Sequence, residues 1–70
     1  MATGNRPETK IRLGLITATV WKNDNFFSVR LERSYKDTAG EWQTTDQLGH
    51  SDLLNAARVL ERAEQYIADQ

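Results

Sequence analysis

Apolar and polar positions alternate along most of this chain, and the spacing turns helical near its end. From Thr9 to Trp21 the residues are largely β-branched or apolar (Ile11, Leu13, Leu15, Ile16, Thr17, Thr19, Val20), which is strand composition. The alternation changes phase midway. Ile11, Leu13 and Leu15 share one parity, while Ile16, Ala18 and Val20 share the other. Gly14 stands just before the change. The pattern predicts one long strand, bulged or sharply bent at that point, serving two surfaces. Asn23-Asp24 predicts a tight turn, because both residues tolerate left-handed backbone angles. Phe26 to Lys36 predicts a second strand. Phe27, Val29, Leu31 and Tyr35 line one face, interrupted by Arg33. Phe26, Ser28, Arg30, Glu32, Ser34 and Lys36 line the other, as in an antiparallel sheet with one wet face.

Asp37-Thr38-Ala39-Gly40 has the aspartate-first, glycine-last pattern of a type I turn. Glu41 to Leu48 then predicts a third, more polar strand, which either ends the sheet as an edge or bends into a short fourth strand. Gly49-His50-Ser51-Asp52 opens a helix, with Ser51 as cap and Asp52 complementing the dipole. The helix runs to about Ile67. Leu53, Ala56, Ala57, Leu60, Ala63 or Glu64, and Ile67 define its buried face, with Leu54, Val59 and Tyr66 at the sides. The fold class expected is α+β: a curved antiparallel sheet of three to four strands followed by one C-terminal helix. Residues 1–8 are expected to be a disordered arm and residues 9–70 the domain.

Seventy residues make one domain, whose core is marginal. The chain has no cysteine and a single histidine, His50, so neither disulfides nor the usual zinc ligands are expected to support it. Self-association is the remaining support, and a homodimer is expected. It would also cover the apolar helix positions beyond a single stripe. No apolar run approaches a membrane span, and the polar stretch from Met1 to Lys10 does not resemble a signal peptide. Cytoplasmic location is the default. The net charge of −1 conceals a split. Residues 1–36 carry seven basic and three acidic side chains, and residues 37–70 carry two basic and seven acidic. Such a split points to one face for an anionic partner, or to two halves that attract each other.

No catalytic constellation is visible, so no enzyme activity, cofactor or small-molecule substrate is expected. His50 at a helix entry and the carboxylates Asp52, Glu61, Glu64 and Asp69 read as solvated structure. Aromatic and basic residues on strands remain. Trp21, Phe26, Phe27, Tyr35 and Trp42 interleave with Lys22, Arg30, Arg33 and Lys36. Single-stranded nucleic acid is held by this combination, since cations track phosphates and rings stack on bases. Phe27 is expected in the core, and Trp42 in the core or a dimer contact. Trp21 and Tyr35, at strand ends, are the expected stacking platform.

The alternating strand Val29-Arg30-Leu31-Glu32-Arg33-Ser34-Tyr35 runs into Asp37-Thr38-Ala39-Gly40-Glu41. Trp42, a polar strand, Leu48 and a long helix follow, and Trp21-Lys22 precedes. This layout, over residues 10–67, resembles the single-stranded-DNA-binding coactivator family positive cofactor four, whose fold group includes the plant Whirly proteins. The resemblance implies a homodimer whose curved sheets pack on C-terminal helices and present aromatic and basic residues to single strands. It places Trp21 and Tyr35 on bases and Lys22 on phosphate. Lys10, Arg12, Arg30 and Lys36 are further expected contacts, and Arg33 is a basic neighbour. Glu32 stands where that family has a basic residue. The expectation is non-catalytic binding of single-stranded DNA, or RNA, in transcription or DNA maintenance. Its rival is a protein–protein or structural dimer module of the same shape.

Overall fold

A computed structural model describes residues 6–70. Four strands, β1 (Thr9–Leu13), β2 (Ile16–Asn23), β3 (Phe26–Lys36) and β4 (Trp42–Thr45), form an antiparallel sheet in the order β1-β2-β3-β4. A 3₁₀ turn over His50–Asp52 leads into the helix α1 (Leu53–Ala68). The α+β class, the antiparallel sheet and the single C-terminal helix are those the sequence pattern predicts.

The fourth strand arises where the pattern did not place it. Thr9 to Trp21 is not one bent strand. The ladder pairs Leu13 with Ile16 and Thr9 with Val20, so the chain reverses at Gly14-Leu15. Gly14 has φ +62°, the positive angle that the first central position of a tight hairpin turn demands. Cross-strand partners share a face. The reversal therefore lets Ile11 and Leu13, of one parity, point the same way as Ile16, Ala18 and Val20, of the other. The expected third strand, Glu41 to Leu48, is shorter than predicted and contributes only β4.

Helix α1 lies mainly over β1 and β2 and touches β3 more lightly. Ile16, Ala18 and Val20 meet Ala56, Val59 and Ala63 in a small core, flanked by Ile11, Leu13, Phe27, Leu31, Leu48, Tyr66 and Ile67. Three of the six buried apolar residues are alanines, which let helix and sheet approach closely. The helix is rotated from the expected orientation. Val59, expected at its side, is completely buried, while Leu53 and Leu60, expected in the core, are 49% and 42% exposed. The small residues face the sheet, and the leucines are left on the flank.

Arg33 interrupts the apolar face of β3 for a structural reason. Its Nε donates to the Gln47 carbonyl at 3.0 Å and lies 3.5 Å from Asp52 Oδ2. One side chain thus ties β3 to the helix entry. Asp52 Oδ2 also accepts the Gly49 N–H at 2.9 Å, so Asp52 rather than Ser51 braces the start of the helix.

Residues 1–5 of the expected arm lie outside the described residues. Glu8 at its end is tied down, contrary to the expectation for residues 1–8. Its N–H donates to the Val20 carbonyl at 2.7 Å, and its carboxylate accepts the Tyr66 hydroxyl at 3.4 Å. Partial desolvation, helped by the charge of Glu8, holds the Tyr66 hydroxyl above its ordinary pKa.

Candidate nucleic-acid interface

Since α1 occupies one face of the sheet, the register defines what the other face presents. Across it run the rows Trp21–Ser28, Lys10–Thr19–Arg30, Arg12–Thr17–Glu32, Ser34–Thr44 and Lys36–Trp42. Phe26 belongs to the same face, because it pairs with Asn23, two positions on from Trp21. The helix-free face therefore carries Lys10, Arg12, Arg30 and Lys36 against one strand carboxylate, Glu32, among the described residues.

The aromatic side chains stand at its two ends. Trp21 is half-buried and has 64%-exposed Phe26 as its diagonal neighbour, within reach for rings on one sheet face. Trp42 is 61% exposed, and the Lys36 ammonium sits 5.6 Å from its ring centroid. The two are cross-strand partners, so the cation and the ring are held together by the ladder itself. The turn that aligns them is braced by Asp37. Its carboxylate accepts the N–H groups of Ala39 and Glu41, each at 2.9 Å, and Gln43 Nε2 at 3.1 Å. The bonds from the Glu41 N–H and the Gln43 amide lead in holding this carboxyl below its ordinary pKa.

Between the two ends lie hydroxyls and mixed charge. Thr19 is only 4% exposed although no helix covers it, and Lys10 and Arg30 flank it in its row. The stems of long cations commonly cover such a residue while their heads stay in water. Arg30 Nε lies 3.2 Å from Glu32 Oε2, and the Arg30 side chain is 72% exposed.

The structure brings together five of the seven expected contact residues: Trp21, Lys10, Arg12, Arg30 and Lys36. It separates the other two. Lys22 follows Trp21 directly on an extended strand and must point to the opposite, helix-bearing face. There its ammonium lies 5.5 Å from the Phe27 ring. Tyr35 shares the parity of Val29 and Leu31, pairs with Gln43, and lies under the Arg33 guanidinium at 5.7 Å. A platform built from Trp21 and Tyr35 on one face is therefore corrected. Trp42 and Phe26 stand on the basic face instead, and Trp42 is not a core residue of this chain. The alternation of β3 already put Phe26 and Lys36 on the wet face. Trp42 follows once the Asp37–Gly40 turn pairs it with Lys36.

The described surface holds no pocket, and among the described residues no three His, Cys, Asp or Glu side chains gather as metal ligands would. Among the described residues no helix is long and apolar enough to cross a membrane. No protein-family model, curated protein or solved structure matches the chain.

Proposed function

We propose that this chain binds single-stranded nucleic acid on the helix-free face of its sheet, without catalysis. One observation carries the reading. Four cations, both tryptophans and Phe26 converge on the one broad surface that the helix leaves open. Cations for phosphates beside rings for bases is the arrangement that grips single strands without reading their sequence. A duplex hides its bases from such rings. The resemblance to the coactivator family favours DNA over RNA and a role in transcription or DNA maintenance.

A homodimer belongs to the same proposal. Val29, Leu53 and Leu60 are 37%, 49% and 42% exposed, and α1 touches β3 only lightly. A second copy covers this flank and adds the apolar burial that a small core lacks. The same leucines favour the rival reading, an adaptor that binds another protein. The lack of cysteine fits a reducing compartment, so the cytoplasm is the proposed location.

The test is a titration of labelled single-stranded oligonucleotide with protein whose mass is fixed by light scattering. Fluorescence anisotropy is read at several salt concentrations, with a duplex control. Neutralising four phosphates per chain predicts a log–log salt slope of about −3. Flat curves from folded protein overturn the reading and leave the adaptor.

A further inference from the structure

The helix-free face is divided. At one end Trp21 and Phe26 adjoin the row of Lys10 and Arg30, and at the other Lys36 adjoins Trp42. Between these ends stand the row Arg12–Thr17–Glu32, of mixed charge, and the row Ser34–Thr44, and neither carries an aromatic ring. Trp21 aligns with Ser28 and Trp42 with Lys36 along β3. At about 3.3 Å per residue these positions are roughly 26 Å apart. One or two nucleotides cannot touch both rings.

We propose that the face holds two separate stacking subsites, and that its ligand is a single strand long enough to occupy both at once. This rests on the nucleic-acid reading above and adds a length requirement to it. Each subsite pairs a ring with at least one cation, so a short oligonucleotide binds either one weakly. A strand that reaches the second ring gains it as an intramolecular contact, at an effective concentration set by the flexible linker between them. The ligand is then a flexible single strand, because only an unpaired strand frees bases to meet two rings on a twisted sheet.

The experiment measures affinity for thymidine oligonucleotides of about 3 to about 20 nucleotides, a range spanning the usual site sizes of sheet-based single-strand binders. The intact chain, Trp42→Ala and Trp42→Phe are compared. The intact chain is expected to show a step of about tenfold or more once the strand bridges both ends. Trp42→Ala loses the step and leaves the shortest oligonucleotides to bind weakly at the Trp21–Phe26 end alone. Trp42→Phe, which restores a ring, recovers much of it. Trp42 is mostly exposed, and circular dichroism confirms that each variant is folded. Binding with no step, or with a step that survives Trp42→Ala, overturns the two-subsite proposal alone. No binding at any length overturns the nucleic-acid reading and this proposal with it.

Discussion

Gly14 shows how much one residue decides in this fold. Its φ of +62° lies in the region where a Cβ is strained, and a Cβ built there meets Asn55 Nδ2 at 3.0 Å. The turn must therefore reverse the chain and at the same time pass close under α1. Gly40 offers a control within the same molecule. Its φ is +81°, yet a Cβ there meets nothing within 4 Å. Left-handed backbone costs an ordinary residue roughly 1–2 kcal/mol. Gly40→Ala is expected to lose about that much. Gly14→Ala is expected to lose more, because the Asn55 amide must also move. Urea unfolding of the two variants checks the order. Equal losses would show that the approach of α1 to this turn adds nothing.

At the scale of elements, the β3–β4 turn is held by a titrating group. The Asp37 carboxylate accepts hydrogen bonds from Ala39, Glu41 and Gln43, and its pKa is lowered by them. A carboxyl whose folded pKa lies below its unfolded value stabilises the fold above the unfolded pKa. That contribution fades as pH falls through the folded value. Asp37→Asn keeps one acceptor oxygen but has no charge to lose. The variant is therefore expected to melt below the parent at neutral pH, with the gap closing in acid. Melting curves from neutral to about pH 3 test this, the range in which carboxylates protonate. A gap independent of pH would remove the charge from the explanation. The turn was legible in the sequence because Asp37 and Gly40 are the residues such a turn requires. The hairpin at Gly14-Leu15 was not. A phase change in alternation is the same signal for a bulge and for a reversal, and only pairing with a partner separates them. The helix was legible in extent, but its rotation was not. Leu53 and Leu60 are as apolar as Val59, and the choice of Ala56, Val59 and Ala63 as the buried face depends on how closely the sheet can be approached. Tyr35 was ambiguous between alternation and resemblance, and alternation decided its face.

At the scale of the whole molecule, a net charge of −1 is compatible with an anionic ligand because the charges are segregated in space. The helix exposes Glu61, Glu64 and Asp69 beside Arg58 and Arg62, whereas the open sheet face carries four cations and Glu32. Glu32 is the residue on which the proposed function depends most visibly. It lies within 3.2 Å of Arg30 and shares a cross-strand row with Arg12. It both occupies a cation and repels phosphate. Arg30 is largely exposed and Glu32 half-buried, a pair that contributes about 1 kcal/mol to stability, and Gln keeps the shape of Glu, so Glu32→Gln is expected to fold as the parent does. If nucleic acid lies on this face, the variant frees Arg30 and removes a repulsion. Single-strand affinity should rise about three- to tenfold, and the salt slope should steepen by about 0.7, the value of one more phosphate contact on a single strand. Anisotropy titrations of parent and variant at matched salt read both quantities. Unchanged or weaker binding in Glu32→Gln would mean that any nucleic acid bound by this chain runs elsewhere than across Arg30, and the open face would then be better explained as a surface for protein.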